Sequence, residues 1–120
     1  MGPWLLVLLL STALVPACRV QPVLIQPASI LVLLGQTVNL SCALNPGYNI
    51  SDYGVSWYQQ RAGRPPKFLL YYNSETDQHK PAGTPARFSA TKEPALNACV
   101  LTIAAFEAED AADYYCSIML

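Results

Sequence analysis

The chain has 120 residues, 52% of them apolar, with seven lysines and arginines against eight aspartates and glutamates and a single histidine. That length suits one domain and not two, and a mature product of about 100 residues can bury a single core, often with the help of a disulfide. The near-neutral balance, without any Lys/Arg cluster, excludes a nucleic-acid partner and an anionic membrane surface.

Residues 1–20, MGPWLLVLLLSTALVPACRV, read as a secretory signal peptide, with an apolar run from Trp4 to Leu10 and small residues around Ala17 where a peptidase can cut. Cleavage falls between positions 17 and 20. A cut after Ala17 keeps Cys18, and a later one discards it. The VPAC stretch is a poor lipoprotein box because proline stands beside the small residue. A spanning helix needs roughly 20 apolar residues, and no second run of that length follows. The expected product is a mature domain over 21–120 that enters the secretory route without a membrane anchor.

From Val23 onward, alternating apolar runs are separated by turn residues. TVNLSCAL puts Val38, Leu40, Cys42 and Leu44 on one strand face, with Asn39, Ser41 and Ala43 on the other. YGVSWYQQ sends Val55 and Trp57 one way, Tyr58 and Gln60 the other. KFLLYY is a nearly continuous apolar strand after the turn AGRPP. ARFSAT and NACVLTI are two more strands, joined by a turn around Lys92 to Ala95. EAEDAAD has room for one helical turn, and DYYC is the last readable strand. Strands at this spacing predict an all-β antiparallel sandwich.

Cys42 and Cys116 lie far apart, each inside a strand pattern, with Trp57 fifteen residues after the first. A bridge between two sheets with a tryptophan packed on it is the immunoglobulin core arrangement. Closing a loop of this length stabilises a fold by about 4.5 kcal/mol in the chain-entropy picture. Tyr114, two residues before Cys116, stands where a tyrosine-corner hydroxyl bonds back to the chain.

From Gln36 to Cys116, the motifs SWYQQ, RFSA, LTI and EDAADYYC resemble a lambda-type variable domain. DYGVSWYQQRAG, LLYY, HKPAGTPARFSA and NACVLTI narrow the resemblance to the VpreB family, the variable-like half of the surrogate light chain. The resemblance implies a V-set immunoglobulin β-sandwich in which Arg87 and Asp110 form the salt bridge closing the bottom of the domain. After Cys116 only Ser117, Ile118, Met119 and Leu120 remain, and the FGxG joining segment is absent. The expected sandwich therefore lacks its C-terminal G strand, and the family implies a strand-donating, light-chain-like second protein.

Catalysis is not expected. The lone histidine, His79, lies in the polar stretch NSETDQHK with no marked nucleophile or orienting group, and reads as a solvated loop side chain. No CxxC or HxxxH pair offers metal spacing, and no glycine-rich turn offers a phosphate cradle. Neither metal nor cofactor is implied.

The informative surface is aromatic. Alternation turns Tyr58, Gln60 and Tyr115 away from the core, and Pro66, Phe68 and Tyr71 lie along the neighbouring strand. An exposed patch of this kind marks an interface, the alternative being that some of the rings cover the edge of the domain's own core. In light chains the matching positions meet the heavy-chain variable domain. Asn39-Leu40-Ser41 and Asn49-Ile50-Ser51 are glycosylation sequons, the second within the loop LNPGYNISDYG. Cys99 shares a face with Leu101 and Ile103, which makes it a candidate unpaired, inward-facing thiol acting as a small apolar side chain. The alternatives are a mixed disulfide or thiol-mediated retention, and pairing with Cys18 where cleavage spares it.

The expected protein is a non-catalytic surrogate-light-chain component or assembly chaperone. Its implied partner is the immunoglobulin mu heavy chain in B-cell precursors. Its implied place is the secretory pathway, chiefly the endoplasmic reticulum, with the cell surface in complex or secretion as further destinations. The competing readings are an antigen or ligand receptor fragment without its joining segment, and a secreted immunoglobulin-like decoy.

Overall fold

The structure, a computed structural model, describes residues 24–25 and 31–119. The expected leader, Cys18 included, lies outside the described residues. Eight strands follow one another: β1 (Leu24–Ile25), β2 (Val38–Leu44), β3 (Gly54–Gln60), β4 (Lys67–Ser74), β5 (Asp77–His79), β6 (Phe88–Glu93), β7 (Ala98–Ile103) and β8 (Asp113–Met119). They form two four-stranded sheets, β1-β2-β7-β6 and β5-β4-β3-β8, with every neighbouring pair antiparallel.

Period-two patterning explains why these segments are strands and how the sheets stack. Val38, Cys42 and Leu44 of β2 and Cys99, Leu101 and Ile103 of β7 are buried from one sheet. Val55 and Trp57 of β3 and Leu70 and Tyr72 of β4 are buried from the other. Cys42 and Cys116 are bonded across the gap, with Cα atoms 6.5 Å apart. Trp57 pairs directly with Cys116 across β3 and β8 and has no exposed surface, so the indole lies beside the bridge.

At the lower end, Arg87 donates from Nε to Asp110 Oδ2 at 3.0 Å and from Nη2 to Oδ1 at 2.7 Å. Glu107 and Glu109 lie within 3.3 and 3.4 Å of the same guanidinium. Burial alone would raise the Asp110 pKa. The Arg87 hydrogen bonds and the Glu107 backbone N–H outweigh it and hold the carboxyl below the usual range. Next to this pair, Tyr114 Oη donates to the Asp110 carbonyl at 2.6 Å and accepts from Gln59 Nε2 at 2.8 Å.

Two local readings need correction. Lys92 lies within β6, and the turn to β7 is a 3-10 turn at Pro94–Leu96 followed by Asn97 in the left-handed region, φ 51°. Lys92 shares the inward parity of Phe88 and Ala90, so the strand continues through it; its ammonium reaches Asn73 Oδ1 at 2.6 Å. Asn97 in turn anchors the loop between β2 and β3. Its Nδ2 donates to the Tyr48 carbonyl at 2.7 Å, and its Oδ1 accepts from the Ile50 N–H at 2.8 Å. His79 is not in a loop, because Asp77–His79 forms β5 on the sheet edge. All three β5 residues are exposed, and a polar, charged edge strand needs no apolar alternation.

Two outcomes follow. Asp110 is depressed in the folded state, so its contribution to stability is present above the unfolded pKa of about 3.9 and is lost as pH falls through the lower folded value. Thermal melts of the wild type should show this acid limb, and D110N should melt lower at neutral pH with the limb flattened. Tyr114→Phe removes both bonds of the corner and leaves a buried acceptor and donor short. Denaturant titration should register a loss of about 1–3 kcal/mol.

Candidate protein–protein interface

The outward face of the β5-β4-β3-β8 sheet is organised by register. Tyr58 on β3 lies between Tyr115 on β8 and Phe68 on β4, which makes one aromatic row across three strands. The Tyr58 and Phe68 rings meet edge-on at 5.7 Å between centroids, and Phe68 stacks on His79 at 6.5 Å. Tyr115 is the exposed end of the row, at 45%, while Tyr58 and Phe68 are half-buried. Gln60 borders the row: its Oε1 accepts from Tyr115 Oη at 3.3 Å, and its Nε2 donates to the Arg64 carbonyl at 3.1 Å. Pro66 lies just before β4 and is exposed.

Phe68 and Tyr71 are three residues apart, and strict alternation would put them on opposite faces. A register shift between Trp57 and Tyr58 removes the conflict. Tyr58 pairs with Phe68 while Trp57 pairs with Leu70, which leaves Leu69 as the extra residue of a bulge. Leu69 is buried, and its carbonyl accepts from Thr84 Oγ1 at 2.8 Å, so the bulge is held from within the fold. Both aromatics therefore face outward.

Tyr71 is more constrained than a surface ring. Its hydroxyl donates to Asp77 Oδ2 at 3.1 Å, which also accepts from Asn73 Nδ2 at 3.1 Å. Burial, then the Asp77 carboxylate, raises its pKa. The ring lies over Gly54 so closely that a Cβ there would collide with Tyr71 Oη and the ring carbons. A Cβ at position 54 would force the Tyr71 ring to shift.

The other singled-out residues lie elsewhere. Asn39 is exposed on the outward side of β2, with Oδ1 accepting from Thr102 Oγ1 at 2.8 Å. Asn49 caps a 3-10 turn, and its Oδ1 accepts from the Ser51 N–H at 2.9 Å. Cys99 is free and fully buried. Among the described residues, no group of three His, Cys, Asp or Glu side chains is placed to hold a metal ion. Sequence reasoning missed a second apolar surface: Leu31, Leu33 and Leu34 are 95%, 65% and 69% exposed. The signal was present in the run ILVLL, whose lack of alternation sets it apart from a half-buried strand.

Fold and face together define a class, and comparison with known proteins agrees with it. The immunoglobulin V-set domain family matches residues 25–120. The chain is 60% identical over 99 residues to pre-B lymphocyte protein 3 of Homo sapiens, covering 82% of this chain and 80% of that protein. It is 44% identical over 117 residues to immunoglobulin omega chain of Mus musculus, covering 98% and 82%. To the probable non-functional immunoglobulin lambda variable 11-55 of Homo sapiens it is 39% identical over 114 residues, covering 95% and 91%. The chain belongs to the VpreB family of V-set immunoglobulin-type proteins. Its relatives are non-catalytic immunoglobulin-type proteins of the secretory pathway, and this kinship supports a surrogate-light-chain-type role. Among the described residues, no helix is long and apolar enough to cross a membrane.

Gly54→Ala should displace the Tyr71 ring and lower the melting temperature. In a Tyr71→Ala background the same substitution should cost much less. Equal losses in the two backgrounds would show that the ring does not constrain position 54.

Proposed function

We propose that the chain captures the immunoglobulin mu heavy chain in the endoplasmic reticulum of B-cell precursors, as a surrogate-light-chain component or assembly chaperone. The observation that carries this reading is the row Tyr115–Tyr58–Phe68 with Gln60 at its border. Aromatic side chains already ordered by their neighbours lose little rotamer freedom on binding, and a central cluster of this kind supplies most of an interface's energy. In this reading Tyr58, Gln60, Pro66, Phe68, Tyr71 and Tyr115 meet the heavy-chain variable domain. A glycan on Asn39 or Asn49 is compatible with capture, since neither residue lies on this face.

A strand-donating, light-chain-like protein is the second proposed partner. It is favoured by the position of β8, which has β3 as its one strand neighbour among the described residues. An edge strand of this type presents backbone donors and acceptors to an added strand.

The test is co-expression with a mu heavy chain in secretory cells, followed by pull-down. Wild-type chain should be recovered with the heavy chain. Tyr58→Ala combined with Tyr115→Ala should reduce recovery by at least about tenfold, given the energy carried by buried aromatic anchors. Ser89→Ala, on the exposed side of the other sheet, should leave it unchanged. Unaltered capture by the double variant would overturn the assignment of the face.

A further inference from the structure

The face just described leaves one group in the core unused. Cys99 on β7 is the direct antiparallel partner of Cys42 on β2, and both are fully buried. Residues opposed in this way have Cα atoms about 4.5–5.5 Å apart, inside the window of roughly 4.4–6.8 Å that a disulfide spans. Cys42 thus has two cysteine neighbours: Cys116, bonded to it from the opposite sheet, and Cys99, its register partner within its own sheet.

Trp57 Nε1 is buried without a well-formed hydrogen bond, and the Cys99 sulfur is its polar neighbour. Lys92 is the partner of Cys99 on the β6 side. Burial raises the Cys99 pKa, while the indole N–H and the Lys92 ammonium oppose that rise. The net direction is upward, so the thiolate that exchange needs forms only when the core opens, and the indole N–H and the Lys92 ammonium only moderate the effect of burial.

We propose that Cys99 is a relay thiol that exchanges onto Cys42 and makes Cys116 a covalent attachment site for disulfide-bearing partners. The Cys99 thiolate attacks Cys42 Sγ. The Cys99–Cys42 bond forms as the Cys42–Cys116 bond breaks, and the electron pair leaves on Cys116 Sγ, which takes up the proton that Cys99 released. One disulfide is present before and after, so the step needs neither oxidant nor reductant. The Cys116 thiolate can then attack a partner's disulfide, forming one mixed bond and expelling one partner thiolate.

The fold sets where this happens. Cys99 and Cys42 share a sheet, while Cys116 enters from the other, so exchange requires β8 to lift. β8 has a single strand neighbour among the described residues, and Cys116 is a less buried residue than Cys42 or Cys99. A thiol that no partner can reach in the core is converted into one on an edge strand. The proposal stands whether or not the heavy chain is the partner.

The experiment uses the chain secreted from cells with Cys18 replaced by serine. It is alkylated with iodoacetamide at mildly alkaline pH, without reductant, in denaturant below the unfolding transition. No lysine or arginine follows Lys92, so trypsin alone leaves Cys99 and Cys116 together, and cleavage after Glu107 and Glu109 separates them. The expected result is label on Cys116, several-fold above label on Cys42, together with a Cys42–Cys99 linked peptide at a yield independent of protein concentration. Cys99→Ala should abolish the Cys116 label. Label confined to Cys99 with the Cys42–Cys116 bond intact would overturn the relay. So would Cys116 labelling of equal extent in Cys99→Ala, or labelling that rises with protein concentration.

Discussion

The bond between Cys42 and Cys116, with Trp57 against it, is the constraint on which the rest of the molecule depends. The bridge ties the middle of β2 to the middle of β8 and so fixes how the two sheets sit on one another. With that spacing set, inward residues from both sheets can fill a single core. The outward side chains of β3, β4 and β8 are then held in rows by a rigid backbone. A face of partly ordered aromatic rings is the consequence, and a loop scaffold would not hold one.

Two smaller devices adapt this frame. The bulge at Leu69 turns the parity of β4, so that Phe68 and Tyr71 both reach the outward face. The Arg87–Asp110 pair and the Tyr114 hydroxyl close the lower end, where the chain crosses from β7 to β8. Each satisfies polar groups that the crossing buries. The bottom of the domain is therefore electrostatically and geometrically fixed.

Much of this was legible from the chain. The alternation in β2 marks its inward face because that strand has one buried and one wetter side. β3 and β7 are buried on both sides over most of their length, so their inward faces follow from the large apolar residues Val55, Trp57, Leu101 and Ile103. The bridge, Trp57 and the tyrosine corner follow from spacing. What escaped did so for physical reasons. A bulge leaves no mark in periodicity, so the shared face of Phe68 and Tyr71 needed coordinates. β5 is wholly exposed and carries no apolar signal. Lys92 looks like a turn residue, yet it continues β6 because its stem faces inward and its ammonium finds Asn73. The exposed leucines at 31, 33 and 34 belong to an apolar run that composition alone would assign to a core.

The central claim is that partner binding uses the aromatic face of the β5-β4-β3-β8 sheet. Hydrogen exchange on the chain, free and in complex with a mu heavy chain, tests it most directly. The account predicts added protection in β3 around Tyr58 to Gln60, in β4 around Phe68 and in β8 around Tyr115, with the outer side of β2 and β6 unchanged. Protection confined to β2 and β6 would contradict it.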